Sequence, residues 1–554
     1  METNLSLSLI PIGGVGNVTK NMYLYEYNNE ILIVDCGLGF ADETMLGVDL
    51  LIPDVTYLKN LPQGKRIVGM ALTHGHEDHI GGLPYILPEL PGQFPIYATP
   101  LTAELANAKL KDYGGAPRVQ KVNFDGGEVR IGPFTLDFVR VTHSVLDSSN
   151  IFIKTPVGNF YHGSDYKIDL TPFDGKRTDF KKIAQLSKDG VLCMLSDCLG
   201  AERKGHTPSE FKLTAAFEEE LENCKGKFIV TTYSSNVARV NQVLQVAEKA
   251  HRKVCFVGRS VVKVKDIAQS LGYIKMPKDM EITPNQLKNY KDSDIVLLVA
   301  GSQGQENSAL SRIVSGEFKE IHLTANDVII FSADPIPGNE VSVYALVDDI
   351  ARIGARVIYS ALSDEFHVSG HASSEDLTMM MNLVNPKMVL PIGGTYRQMV
   401  QYRNLAEKQG FELKNILLLE NGQEVLFNQS GARIGRKLNL ENVYVDQVSG
   451  EEVEGFVLRD RQKLATDGVV VVLAEVDSAG QIADNLDIIV RGLSNQEIAD
   501  IQKGLGKDLK LQISQRKGIK DRFLIRKLIS EISEKAIYKN LRKHPLILPV
   551  IIEV

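Results

Sequence analysis

Positive charge is not in surplus in this 554-residue chain. Its formal net charge is −7 and its isoelectric point about 6.0, so the overall balance announces no nucleic-acid partner, although a basic groove can sit inside an acidic total. Cysteine is scarce. The five thiols, at 36, 193, 198, 224 and 255, are odd in number and form no C-x-x-C pair, which speaks against a disulfide frame and for reduced, buried thiols. No run approaches the ~20 apolar residues of a membrane span. The start METNLSLSLIPIGG has neither the basic segment nor the apolar core of a signal peptide. The expectation is a cytoplasmic protein with no membrane partner. Internal repeats and low-complexity tracts are also missing.

The length is too great for one hydrophobic core and predicts two to four domains, while the 44% apolar share is that of an ordinary globular protein. The first two hundred residues carry short β-rich runs, among them LSLSLIPIGG, MYLYEY, EILIVDCG, RIVGMALT and FTLDFVRVT. From about residue 206 the rhythm changes. Strands such as KFIVTTY, KVCFVGR, DIVLLVAG and DVIIFSA alternate with helical patterns, which predicts a separate unit built on a parallel sheet. A polar stretch at 428–455 reads as a connector, and the last hundred residues read as a small α/β domain. The fold class is therefore mixed α/β and α+β. Segment 516–543 holds ten Lys/Arg (Arg516, Lys520, Arg522, Arg526 and Lys527 among them) against three acidic residues. It reads as a solvated helix face or as a surface for RNA or a partner.

Histidine is sparse at eleven residues, yet ALTHGHEDHIGG places His74, His76 and His79 within six positions around Asp78. The preceding RIVGMALT is a strand, so these side chains fall on the loop at its end, where they can converge. Imidazole and carboxylate are the ligands that borderline divalent metals prefer, and two ligand pairs suit two ions. His143, just past FTLDFVRVT, and Asp165, just past GNFYHGS, supply further ligands on the same rim. Asp35 in IVDCG is a candidate acceptor that would orient a ligand histidine. His251, His322 and His544 stand alone and read as ordinary core or surface residues.

THGHEDHIGG resembles the metal motif of the metallo-β-lactamase superfamily. With MLGVDLLIPDVTYL, HSVLDS, GSQGQENSALSRI, DPIPGNE, HVSGHASSEDL, LRDRQ and LILPVIIEV, the chain resembles bacterial ribonuclease J from about residue 8 to its end. The resemblance implies an αββα sandwich over 1–205, completed by a return segment at 361–435, with an inserted β-CASP α/β domain at 206–360. A linker at 436–455 and a small C-terminal α/β domain at 456–554 complete the expected architecture. It further implies a ribonuclease with endonuclease and 5′→3′ exonuclease modes on single-stranded RNA bearing a 5′-monophosphate. Expected products are 5′-phosphate and 3′-hydroxyl ends, in RNA maturation and decay.

By the same resemblance His74, His76 and His143 hold one ion, Asp78 and His79 the other, and Asp165 bridges them. Zinc fits this set, with manganese or magnesium as alternatives. Asp78, Asp165 and His371 form the catalytic set, His371 giving a proton to the leaving 3′-oxygen. His367, Val368, Ser369 and Gly370 grip a substrate phosphate. Ser235 and Asn236, which open a helix after TTYS, take the 5′-phosphate end or serve only as a cap. Asp49 and Asp446 match a structural calcium site of some members. The C-terminal domain is expected to form a homodimer or homotetramer.

One position departs from the family. After KMVLP it carries a histidine that completes the second metal site, whereas here PIGGTYR puts Gly393 there. Three readings follow: a second ion recruited with RNA, a single tightly held ion, or a catalytically weak subunit that binds RNA beside an active paralogue. An active nuclease, under either of the first two, is the expectation, because six of seven ligands and both histidines of HVSGH remain. A small-molecule hydrolase of lactamase or glyoxalase type would need neither the insert nor HVSGH.

Overall fold

The computed structural model describes residues 6–42, 44–116, 118–336, 338–363, 365–429, 431–446, 452–476, 482–515 and 521–553. Arg516 and Lys520 of the basic segment, and residues 447–451 of the expected linker, lie outside them. The chain forms two compact units, one of Leu51–Asn442 with the chain up to Phe40, the other of Ala41–Leu50 with Val443–Val554.

In the larger unit, strands β1 (Leu7–Gly13), β2 (Met22–Tyr27), β3 (Glu30–Val34), β4 (Arg66–Leu72), β5 (Ile96–Ala98) and β6 (Val119–Lys121) belong to one sheet. A second sheet begins with β7 (Val129–Ile131), β8 (Phe134–Arg140), β9 (Ser149–Lys154), β10 (Asn159–Gly163) and β11 (Val191–Asp197). The chain then leaves to build a third sheet from β12 (Phe228–Thr231), β13 (Lys253–Val257), β14 (Ile295–Val299), β15 (Val328–Phe331) and β16 (Arg356–Ile358). It returns with β17 (Pro386–Ile392), β18 (Gln423–Asn428) and β19 (Gly431–Lys437).

The strand orders are β19-β18-β1-β2-β3-β4-β5-β6 and β7-β8-β9-β10-β11-β17. Returning strands thus finish both sheets. β18 lies antiparallel to β1, with Leu7 opposite Phe427, and β17 lies parallel to β11, with Asp197 opposite Ile392. Leu7, Leu9, Tyr23 and Tyr25 from one sheet share an apolar core with Phe134, Phe138, Phe152 and Phe160 from the other. That burial of facing apolar rows is what holds the sandwich together.

The insert's sheet runs β13-β14-β12-β15-β16 with every pair parallel. Its strands FIVT, IVLLV and VIIF are buried throughout, as strands covered by helices on both faces must be. The stretch that reads as a connector from 428 holds β19, a half-exposed edge strand.

In the smaller unit, β20 (Val469–Val476), β21 (Ile482–Arg491) and β22 (Leu546–Glu553) form a sheet in the order β21-β20-β22. Helices Asn495–Ser514 and Arg522–Leu541 pack on one face, where Val470, Val472, Leu505, Leu509 and Ile529 meet. The other face leaves Ile489, Leu548, Val550 and Ile552 exposed. Among the described residues, no helix is long and apolar enough to cross a membrane.

Candidate active site

The site gathers where several strands end. β3 and β4 run parallel with Val34 beside Ala71, so Asp35 and Thr73, one and two residues beyond those positions, arrive side by side. Asp35 is fully buried, and both its oxygens are engaged. Oδ1 accepts from the Thr73 N–H at 2.8 Å, and Oδ2 accepts from the Thr73 hydroxyl and from His79 Nδ1, each at 2.8 Å. In the tautomer with its proton on Nδ1 the His79 Nε2 lone pair faces the site, although burial, which would lower its pKa, is outweighed by the carboxylates of Asp165, Asp78 and Asp35, which raise it well above the ordinary range. Asn21 Nδ2 donates to that Nε2 at 3.1 Å. Because the single Thr73 hydroxyl proton goes to Asp35, its oxygen accepts from His74 Nδ1 at 3.1 Å, which likewise frees His74 Nε2.

His76 precedes a short helix, Glu77–Ile80, that carries Asp78 and His79. His143, two residues past Val141, donates from Nδ1 to the Gly370 carbonyl at 2.7 Å and so presents Nε2. His76 Nδ1 lies 3.1 Å from His74 Nε2 and 3.1 Å from His143 Nε2. Three ring nitrogens with lone pairs pointed at one spot repel unless a cation sits between them. Asp165 Oδ2 stands 3.7 Å from His74 Nε2, 3.9 Å from His143 Nε2 and 3.4 Å from His79 Nε2.

Two candidate ligand groups share this carboxylate: His74, His76, His143 and Asp165 on one side, Asp78, His79 and Asp165 on the other. Their donor chemistry would suit divalent cations, with Asp165 common to both groups. Burial drives His74 and His76 well below the ordinary histidine range, His79 or His143 adding repulsion, and it takes His143 down to about 3. All three are therefore neutral and able to ligate at pH 7. Burial and the nearby charge of Asp165 push Asp78 up to about 6, against the pull of His79, a crowding that a cation relieves.

A third group joins Asp165 and His371 to Asp197, which sequence reasoning did not single out. His371 Nδ1 donates to Asp197 Oδ2 at 2.7 Å, and its Nε2 lies 3.9 Å from Asp165 Oδ2. Burial alone would lower the His371 pKa, but the carboxylates of Asp197 and Asp165 outweigh it and raise it. The available signal was position: like Asp35 and Asp165, Asp197 closes a buried strand.

Two glycines matter here. A Cβ on Gly370 would lie 2.8 Å from His143 Cε1 and 2.9 Å from Nδ1, so only glycine lets its carbonyl reach that ring. Gly393 follows β17 with φ +64°, and a Cβ built there would lie 3.6 Å from Asp165 Oδ1 and 3.7 Å from Asp197 Oδ1. The position read as lacking a ligand therefore faces the carboxylate that both groups share, with room for a side chain.

Within the HVSGH run, Val368 is buried, and Ser369 Oγ accepts from the His371 N–H at 3.1 Å. His367 Nε2 lies 3.4 Å from Asp334 Oδ2, and its buried Nδ1 has no hydrogen-bond partner among the described residues. Burial first, and then Arg239, take His367 down to about 4 against the opposing pull of Asp334. Asn236 is buried and caps helix Val237–Lys249, its side-chain oxygen accepting from the Arg239 N–H, while Ser235 beside it is half-buried. No candidate ligand group among the described residues includes His162, whose Nδ1 pairs with the Tyr25 hydroxyl at 2.9 Å. Asp49 and Asp446 flank the bond from the Asp49 N–H to the Val445 carbonyl, and no candidate ligand group among the described residues includes either.

Family models match four stretches: "Metallo-beta-lactamase superfamily" at 15–162, "Ribonuclease J, beta-CASP domain" at 225–350, "Zn-dependent metallo-hydrolase RNA specificity domain" at 361–417 and "Ribonuclease J C-terminal domain" at 456–554. Ribonuclease J of Thermus thermophilus is 35% identical over 99% of this chain and 95% of its own length. Ribonuclease J of Helicobacter pylori strain 26695 is 34% identical over 99% of this chain and 80% of its own. Ribonuclease J2 of Bacillus subtilis is 32% identical over 99% of both. In fold alone, a protein of unknown function from Enterococcus faecalis V583 matches 76% of this chain and all of its own at a TM-score of 0.54 and 15% identity.

Proposed function

This chain belongs to the ribonuclease J family, whose members are metallo-hydrolase ribonucleases, and from that premise we propose that it cuts single-stranded RNA both internally and 5′→3′ from a monophosphorylated end. The observation that carries this reading is the convergence of His74, His76, His143 and Asp165 beside the Asp197–His371 pair. Divalent metal held by these residues would supply charge neutralisation for the scissile phosphate and would lower the pKa of an attacking water. Zinc suits three imidazoles with a carboxylate, manganese or magnesium being the alternatives.

The chain's own residues do the rest. Asp35 and Thr73 fix the tautomers of His79 and His74, and the Gly370 carbonyl fixes that of His143. His371, whose pKa burial would lower but Asp197 and Asp165 raise, holds the proton that the leaving 3′-oxygen takes, which yields 5′-phosphate and 3′-hydroxyl ends. His367, Ser369 and Gly370 hold a substrate phosphate, with Ser235 and Asn236 near the 5′ end. Residues 206–360 act as the inserted domain, and RNA maturation and decay in the cytoplasm is the setting. A homodimer or homotetramer forms through the C-terminal domain, a reading supported by its open apolar sheet face. A calcium at Asp49 and Asp446 has only their proximity in its favour.

Gly393 favours a second reading, a catalytically weak subunit that binds RNA beside an active paralogue, because the second metal group keeps only Asp78, His79 and Asp165. Elemental analysis of the purified protein, run beside cleavage of 5′-monophosphorylated and 5′-triphosphorylated RNA by wild type and His76→Ala, separates the two. The active-nuclease reading expects bound metal, faster loss of the monophosphorylated RNA, and neither in His76→Ala. Bound metal without cleavage supports the weak-subunit reading.

A further inference from the structure

Arg239 is wholly buried, in the first turn of helix Val237–Lys249, and every arm of its guanidinium is engaged. Nη2 donates to Glu210 Oε2 at 2.7 Å, Nε to Gln242 Oε1 at 3.0 Å, and Nη1 to the Ser332 and Phe366 carbonyls at 3.0 Å each. The Ser332 hydroxyl also donates to the Phe366 carbonyl. Phe366 is the residue before the HVSGH run.

On its other side Glu210 takes the Lys167 ammonium at 3.1 Å, and Lys167 lies 3.8 Å from Asp169, whose Oδ2 accepts from the Glu210 N–H at 3.0 Å. The backbone of Lys167 pairs with Thr142, its N–H donating to the Thr142 carbonyl at 2.8 Å, one residue before His143. Two cations and two carboxylates thus form a buried, balanced cluster joined to four segments: the one with Asp165, the one with His143 paired to it, the helix that begins after Asn236, and the start of HVSGH.

We propose that Arg239 is a positioning residue that sets His367 and the HVSGH run against the metal-ligand strands, so that RNA phosphate is gripped in register with the scissile bond. Nothing in this role touches substrate. A planar fork with fixed donors can hold two carbonyls, an amide oxygen and a carboxylate at once, which an ammonium cannot. The inference rests on the reading that HVSGH grips RNA.

The test uses the full chain with Arg239→Lys, with the charge-balanced pair Arg239→Met/Glu210→Gln in case the single variant does not fold, and with His367→Ala. Metal content, KM and kcat on 5′-monophosphorylated RNA, and Tm are measured for each. The expectation for either Arg239 variant is unchanged metal content and a KM higher by about tenfold, the loss expected when a charge-assisted contact to the loop goes. That rise should be largely absent when His367→Ala is already present. A lower Tm with unchanged KM and kcat below melting would make Arg239 structural only and overturn the inference, as would loss of metal. If His367→Ala itself leaves KM unchanged, it is the reading of HVSGH that fails.

Discussion

At Gly393 a left-handed backbone and a missing side chain meet beside Asp165. Histidine tolerates that backbone better than most residues, at a cost of about 1 kcal/mol. Gly393→His should therefore melt slightly lower, yet raise bound metal per chain and lower the metal concentration needed for half-maximal rate. Unchanged metal dependence would mean that the second site does not limit turnover. Asp197→Asn removes the charge behind His371, and kcat should fall by roughly 100-fold with metal content intact. Single-turnover cleavage beside elemental analysis checks it. These two residues also show what one chain can and cannot reveal. His74, His76 and His79 are legible because their ligand spacing is local. Asp197 ends MLSDC like any strand-terminal aspartate, and its meaning comes from a partner 174 positions away.

Among elements, helix Val237–Lys249 and the strand before Lys167 are tied together by Glu210. Burial would raise its carboxyl, but Arg239 and Lys167 hold it down to about 2. Against an unfolded value of about 4.3 the depressed pKa stabilises the fold by roughly 3 kcal/mol. That contribution is complete above the unfolded value and is lost as pH falls through about 2. Urea unfolding between neutral and strongly acid pH should show it. Glu210→Gln, which leaves two buried cations facing one carboxylate, should cost about 3–5 kcal/mol at pH 7, and its deficit should shrink as the wild type is acidified. A deficit constant across that range would mean the carboxyl is not held down. The insert's strands were legible for a related reason: IVLLV and VIIF are apolar throughout, as strands buried on both faces are. Strand β19, GARIGRK, gave no such signal, since an edge strand with half-exposed side chains needs no alternation.

For the molecule as a whole, metal bound at the cluster would also be a source of stability. Anything bound by the folded state alone adds RT ln(1 + [L]/Kd), about 4 kcal/mol at a thousandfold excess over Kd. A chelator should lower the Tm of wild type and leave that of His143→Ala unmoved; equal shifts in both would exclude the cluster as the site. The open face of the C-terminal sheet makes a prediction of its own. Leu548→Asp with Val550→Lys, at 43% and 39% exposed positions, should reduce the solution mass toward that of one chain by light scattering without loss of helix signal.

The late return of the chain has a consequence for synthesis. Leu7 pairs with Tyr27 on one side but meets its other neighbour, Phe427, only late in the chain, and Gly370, which orients His143, lies 227 positions beyond it. A ribosome adding about 5–20 residues per second makes Asp35 and Thr73, which orient His79 and His74, with the HxHxDH loop, but Gly370, which orients His143, only long afterwards. Until positions 370 and 427 have emerged, the nascent polypeptide lacks the carbonyl that orients His143 and the strand that closes the sheet beside β1.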